Sequence, residues 1–140
     1  MATLTLMRDI NNNKMGTIAK DGQQLTLYYN AESTIGKQTY SYITASSKKI
    51  NTIDISKEKV TGTQWAELAD NLGIPLSDLI DKDHPKFVDT YGSQDVVLEE
   101  NDWIKILQER PEVVSWPIVV NGTQFLHIKN PSDVVKYINQ

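Results

Sequence analysis

The succession of strand-like and helix-like segments is the feature that most constrains the fold of this chain. In the first half, residues 25–29 and 50–55 form apolar runs with the length of strands, and residues 34–45 carry a helical pattern between them. Such a strand-helix-strand unit holds its strands parallel, with a right-handed crossover. The first run is mostly apolar and aromatic, which predicts a central strand.

The helix at residues 34–45 is predicted to bury one stripe. Ile35, Thr39, Tyr42 and Ile43 fall on one side at helical spacing. Ser33 precedes the helix and has the side chain of an N-cap.

A second helix has clear signals at both ends. Thr61 and Gln64 have the spacing of a capping box, and Val60 with Trp65 have that of a hydrophobic staple. Gly73 lies where a left-handed residue ends a helix. We therefore expect a helix between these signals.

The middle of the chain is predicted to be mainly helical. Pro75 opens a short helical turn that reaches residue 80, and residues 81–94 have the composition of a loop with at most one helical turn. Residues 99–108 form an amphipathic helix, which Pro111 closes.

The last third predicts two strands and a helix. Residues 116–120 are β-branched, Asn121-Gly122 is a hairpin signal, and residues 124–128 return antiparallel. A final helix is expected over residues 131–138, with Asn130 as its N-cap and Pro131 in its first position.

The whole order predicts an α/β fold of the thioredoxin-like kind. It is a mixed four-stranded sheet flanked by helices, with a helical insertion between the βαβ and ββα halves. Residues 24–140 would form this domain. Residues 1–23 would be an N-terminal extension, for which a β-hairpin arm and a disordered segment both fit the sequence.

Composition excludes several classes of function. The 140 residues contain no cysteine, so the chain's own side chains cannot perform thiol or disulfide chemistry. The net charge of −4 is unfavourable for direct binding to nucleic acid or to an anionic membrane. No signal or membrane-spanning pattern is seen, and we expect a cytoplasmic protein.

A metal site is not expected. His84 has acidic neighbours at Asp81 and Asp83, but their spacing matches no metal motif. The other histidine, His127, is far away in sequence. A solvated loop accounts better for the acidic stretch.

Three stretches of the sequence have a recognisable pattern. Residues 25–33 lead from a strand into a loop, residues 109–120 end in Trp-Pro-Ile-Val-Val, and residues 130–135 read Asn-Pro-Ser-Asp-Val-Val. Together they resemble the arsenate reductase family, which includes the Spx-type transcriptional regulators and has a glutaredoxin-like fold. In the family these correspond to the active-site strand and loop, an Arg-Pro-Ile-Val-Val strand and an Arg-Pro-x-x-Val ending. The resemblance extends over residues 25–138.

The same resemblance implies that the family's chemistry has been lost. The family's loop reads Asn-Pro-x-Cys-x-x-Ser/Cys-Arg, whereas residues 30–37 read Asn-Ala-Glu-Ser-Thr-Ile-Gly-Lys, which puts Ser33 at the cysteine position. The residues that match the family's oxyanion-binding arginines are Asp81, Trp116 and Asn130. Glu32 adds a negative charge beside the loop, which opposes an anion further.

Each candidate residue also has a structural interpretation. Ser33 is a nucleophile only if a base activates it, and otherwise an N-cap. Thr34, Gly36 and Lys37 form either an anion cradle or an ordinary first helical turn. Tyr28 and Tyr29 are acid–base candidates, although their strand position favours packing.

The Trp116-Pro117 pair is the remaining candidate. The resemblance implies a cis proline at Pro117 that shapes a groove beside the active-site loop. Trp116 would cover the former oxyanion site, where it either plugs the pocket or stacks on a ligand or partner.

Two functions from different classes follow. The first is a non-catalytic binding or regulatory module with a protein partner, without a cofactor and without direct nucleic-acid binding, which contacts its partner through the Trp116 groove or the N-terminal extension. The second is an enzyme that uses glutathione as an external thiol at the Ser33 and Lys37 loop. The sequence leaves the oligomeric state open, and the candidate binding residues are Asn30, Ser33, Thr34, Gly36, Lys37, Trp116, Pro117 and Asn130.

Overall fold

The fold is built on a mixed sheet. A computed structural model describes residues 25–46, 49–92 and 96–138, so the predicted N-terminal extension lies outside the described residues. Four strands pair in the order β2-β1-β3-β4. They are β1 (Leu25–Tyr29), β2 (Ile50–Asp54), β3 (Ile118–Asn121) and β4 (Gln124–His127).

Strand β1 is central, as predicted. It runs parallel to β2, with Leu25 opposite Ile50, and antiparallel to β3, with Leu25 opposite Asn121. Strands β3 and β4 form the antiparallel hairpin. The hairpin loop differs from the predicted Asn121-Gly122 by one residue: Asn121 pairs with Gln124, so Gly122 and Thr123 form the loop, and Gly122 has a φ of 64°.

Helices lie between and after the strands. The α-helices are α1 (Thr34–Thr44), α2 (Gly62–Leu72), α3 (Pro85–Tyr91), α4 (Glu100–Glu109) and α5 (Val135–Ile138). Short 3-10 helices occupy Leu76–Leu79, Pro111–Val113 and Pro131–Val134. The predicted α/β class and thioredoxin-like arrangement are therefore confirmed.

The sheet separates two hydrophobic cores because successive residues of β1 point to opposite faces. Leu25 and Leu27 join a core with Ile43 of α1 and Val134. Tyr28 joins the larger core on the other face. That core receives Trp65 and Leu68 from α2 together with Phe87 of α3 and Trp103, Ile106 and Leu107 of α4.

Local signals fixed the ends of several helices. In α2 the capping box between Thr61 and Gln64 is present in both directions, and Gly73 ends the helix with a φ of 73°. The predicted loop at residues 81–94 instead contains α3. The start of α3 is favoured by Pro85 in the first turn and by the N-cap His84, whose Nδ1 accepts from Lys86 N.

The predicted stripe of α1 is partly wrong. Tyr42 is 43% exposed, whereas the buried positions are Gly36, Thr39 and Ile43. A Cβ at position 36 would lie 2.1 Å from the carbonyl oxygen of Asn30. Because the helix approaches the preceding loop this closely, its buried side needs a residue without a side chain at that point.

Candidate functional site

The loop between β1 and α1 is organised around Asn30, which is only 8% exposed. Its side-chain oxygen Oδ1 accepts from the backbone N–H of Glu32 at 2.8 Å. Its backbone carbonyl accepts from both the N–H and the hydroxyl of Ser33, each at 3.0 Å. The loop therefore satisfies much of its own hydrogen bonding.

Ser33 is the N-cap of α1, as predicted. Its Oγ accepts from Gly36 N at 3.0 Å, and its carbonyl accepts from Lys37 N at 3.0 Å. The hydroxyl thus donates to one backbone group and accepts from another. No histidine or carboxylate is among these partners, so they include no general base that would activate the oxygen.

A carboxylate that the sequence analysis did not single out also holds the loop. Asp54, at the end of β2, is 9% exposed, and its Oδ1 accepts from Ala31 N at 3.1 Å. The same oxygen accepts from Ser56 N at 3.1 Å and from Ser56 Oγ at 2.7 Å. Since parallel strands end at the same sheet edge, an acid that ends β2 was the available signal for this contact.

The hydrogen bonds to Asp54 keep it charged. Burial alone would raise the pKa of the carboxyl group, but the hydrogen bonds from Ser56 and Ala31, with a smaller contribution from Lys57, outweigh it and lower the pKa. A negative charge therefore lies against the loop that would have to accept an oxyanion. This opposes anion binding in the same way as Glu32 does.

The segment from residue 113 to 118 forms the opposite wall. An antiparallel bridge joins Ile80 to Val114, and Ser115 N donates to Leu79 O at 2.8 Å. The prediction of a cis proline is wrong: no peptide bond among the described residues is cis. The bond is trans, which X-Pro sequences prefer by default, and Pro117 O, just before β3, accepts from Ile128 N at 2.8 Å.

The loop and this segment do meet. Asn30, Ser33, Trp116 and Pro117 line one enclosed space, as the resemblance implied, but its volume is only about 10 Å³. That is room for roughly one water molecule. Small-molecule sites usually offer about 300 Å³ or more, so this space does not accept a substrate in the observed conformation.

The two tyrosines beside this space are held in their protonated form near neutral pH. Burial, with a contribution from Glu67, raises the pKa of Tyr28 to about 12. Burial also raises the pKa of Tyr29, with contributions from Asp54, Tyr40 and Glu58. Tyr29 stacks on Tyr40 with ring centroids 5.0 Å apart. Both phenols stay protonated, which favours the packing interpretation.

The other side of Trp116 faces a larger and open pocket of about 470 Å³. His127 lies edge-on to Trp116 with 5.2 Å between ring centroids, and the Lys129 ammonium lies 5.0 Å from the Trp116 ring centroid. Burial and then Lys129 lower the pKa of His127 to about 4, against the opposing effect of Asp78. His127 is therefore neutral near pH 7.

The remaining predicted site residues do not converge on the enclosed space. Thr34 and Lys37 are exposed on α1, while Gly36 is buried against Asn30 with its N–H bonded to Ser33. Asp81 lines the open pocket beside Trp116. Asn130 caps the C-terminal 3-10 helix by accepting from Ser132 N at 3.2 Å.

Neither a metal cluster nor a membrane span is found in the part of the chain that the structure describes. No three histidine, aspartate or glutamate side chains in residues 25–46, 49–92 and 96–138 are arranged to hold a metal ion. Within the same residues, no helix is long and apolar enough to cross a membrane.

Comparison with solved structures identifies the architecture. No protein-family model and no curated protein matches the sequence. An arsenate reductase from Vibrio cholerae is similar with a TM-score of 0.69 and 16% identity, over 81% of this chain and 97% of that chain. A possible arsenate reductase from Streptococcus mutans gives 0.63 and 14%, over 80% of this chain and 97% of that chain.

A third similar structure is an arsenate reductase-related protein from Brucella melitensis. It has a TM-score of 0.55 and 12% identity, over 84% of this chain and 96% of that chain. At such identities the likeness concerns the backbone, and function has to be argued from the site. The chain therefore has the thioredoxin-like fold of the arsenate reductase structures, and it has that fold without a cysteine.

Proposed function

We propose that this protein is a non-catalytic binding module that has kept the arsenate reductase fold and lost its chemistry. The observation that carries the proposal is the space of about 10 Å³ between the Ser33 loop and Trp116-Pro117. A catalytic site needs room for its substrate next to the reactive group. Here that room is taken up by the protein's own side chains.

The chemistry of the loop supports the same conclusion. Ser33 Oγ is engaged with Asn30 O and Gly36 N, each at 3.0 Å, so its interactions are those of a helix cap. A serine in that position cannot form the sulfur bonds that thiol-dependent reduction requires. The described hydrogen-bond partners of Ser33 Oγ are backbone groups, and they supply no base.

The charges around the loop also oppose an oxyanion substrate. Asp54 and Glu32 bring negative charge to the loop, and the chain contains only two arginines, Arg8 and Arg110. Arg110 follows α4 and does not line the space beside Ser33. Among the residues that the structure describes, no guanidinium group lines the space beside Ser33 for bidentate recognition of a tetrahedral oxyanion.

The proposed partner is a protein that contacts the Trp116 face. Trp116 is half-buried, with Lys129 and His127 on its rings, and it borders an open pocket with Asp81. Partly exposed tryptophans next to charged groups are typical anchors of protein interfaces.

Turnover and ligand binding test this proposal together. We expect no arsenate reduction above background with glutathione and glutaredoxin, and no thermal shift with glutathione, arsenate or phosphate. A ligand that binds and is present at about one hundred times its dissociation constant would add about 2.7 kcal/mol to the free energy of unfolding. Reductase turnover or such a shift would overturn the proposal in favour of the glutathione-dependent enzyme.

The Ser33→Cys variant makes the test sharper. It restores a thiol at the start of α1, where a helix N-terminus favours the thiolate. We expect it to remain inactive because the space and the guanidinium groups are still missing. Arsenate reduction by this variant would mean that the loop still binds the oxyanion, which contradicts the proposal.

A further inference from the structure

A groove runs between α2 and the 3-10 helix that follows it, beside Trp103 of α4. Its volume is about 720 Å³. Ala66 and Ala69 of α2 contribute short side chains, and Ile74 and Pro75 contribute apolar surface. It shares no lining residue with the small space beside Ser33.

The charge of the groove has one sign. Its charged lining residues are Glu67, Asp70 and Glu100, and no lysine or arginine of residues 25–46, 49–92 and 96–138 lines it. Asp70 and Glu100 are exposed and belong to two different helices, so they border the groove from both α2 and α4. The apolar surface between them includes Trp103, which is 7% exposed.

Lys82 contacts one of the residues that line the groove, Trp103. Its ammonium is 5.6 Å from the Trp103 ring centroid and 4.0 Å from an Asp78 carboxylate oxygen. Lys82 lines the neighbouring pocket next to Trp116 and not the groove. Within the described part of the chain, no lysine or arginine that lines the groove balances the carboxylates of Asp70 and Glu100.

We infer that this groove is a second interaction surface, one that binds a basic amphipathic segment of a partner protein. An apolar strip bordered by carboxylates is complementary to a helix or extended peptide with apolar residues on one side and lysine or arginine on the flanks. Like charges on an acidic segment would be repelled. Ile74 lines both the groove and the pocket beside Trp116, but Asp70, Glu100 and Trp103 line the groove without lining that pocket, so these residues test the inference separately from the proposed function.

The probe is a synthetic helical peptide with leucine on one face and lysine on the other. Its matched control carries glutamate in place of every lysine. We expect the lysine peptide to bind at least about tenfold more tightly by calorimetry, a difference of about 1.4 kcal/mol. Its affinity should fall as salt shortens the screening length from about 30 Å at 0.01 M to about 8 Å at 0.15 M.

Nuclear magnetic resonance of the full chain locates the peptide. The indole N–H of Trp103, which donates to Leu98 O at 3.0 Å, reports on the groove, whereas that of Trp116 reports on the other face. The lysine peptide should shift the resonances of Trp103 and of α2 more than that of Trp116. The double variant Asp70→Asn, Glu100→Gln should weaken binding at least about fivefold while the fold stays intact.

Four results would overturn the inference. They are the absence of binding or equal affinity for the two peptides, shifts centred on Trp116, and unchanged affinity of the double variant. Ser33→Cys is a suitable control variant because position 33 is outside the groove. A lysine peptide that binds without any effect on glutathione or arsenate assays would support this surface alone.

Discussion

Two concave regions of the molecule differ in volume and in the charge of the side chains that border them. Between the Ser33 loop and Trp116-Pro117 the protein encloses about 10 Å³. Between α2 and the following turn the groove measures about 720 Å³ and is bordered by carboxylates. The first region is filled and hydrogen-bonded to itself, and the second is open.

The difference teaches that a concave region of this fold is not by itself a ligand pocket. The polar groups of the Ser33 loop are engaged with Asn30 and Asp54, so their contribution is to stability. In the groove, Asp70 and Glu100 are exposed and contribute little to stability. Substitutions in the first region should therefore affect unfolding, and those in the second should affect binding.

The largest expected effect is that of Gly36→Ala. The added Cβ would lie 2.1 Å from the Asn30 carbonyl oxygen, which is backbone and cannot rotate away. We expect at least about 3 kcal/mol of destabilisation in urea unfolding. The matched control is Ala66→Ser in the groove, which should cost about 0.5 kcal/mol. Equal stability of the two variants would mean that α1 is not packed as closely on its loop as described.

Asp54→Ala should have the next largest effect. It removes the acceptor of three hydrogen bonds, one from Ala31 N and two from Ser56, in a residue that is 9% exposed. We expect a loss of about 2–3 kcal/mol in thermal or urea unfolding. Asp70→Ala in the groove is the control and should stay within about 0.5 kcal/mol of the parent. Similar losses for both aspartates would remove the contrast between the two regions.

The smallest expected effect concerns pH and His127. Its pKa falls to about 4 in the folded protein from an ordinary value of 6.5, so the unfolded chain binds more protons between these values. The free energy of unfolding that neutral His127 contributes is fully present above pH 6.5, and it decreases as pH falls toward 4. Between pH 7 and 5 we expect the free energy of unfolding to fall by about 1 kcal/mol. This is less than the full pKa shift implies, because the side chain is partly exposed.

His127→Asn isolates this contribution. The variant should make the free energy of unfolding less dependent on pH between 7 and 5, as followed by urea unfolding at several pH values. A slope that is unchanged in the variant would mean that another group causes the decrease.

The sequence was most informative where a local signal has one structural meaning. The Thr61 and Gln64 capping box, the left-handed Gly73 and the Ser33 cap depend on contacts within a few residues, and all three are present. The parallel pairing of β1 with β2 also followed from the sequence, since a strand-helix-strand unit has one preferred handedness and direction of pairing. The site was harder to predict because Asp54 reaches Ala31 across 23 positions.

The sequence by itself determined what the protein lacks and which elements it forms. The absence of cysteine and the apolar runs of β1 and β3 need no coordinates, because composition and periodicity are properties of the chain. The tertiary structure decided the trans bond before Pro117, the exposure of Tyr42 and the near-complete filling of the space beside Ser33. These depend on how closely distant segments approach one another, and packing distances are set only when the whole fold is assembled.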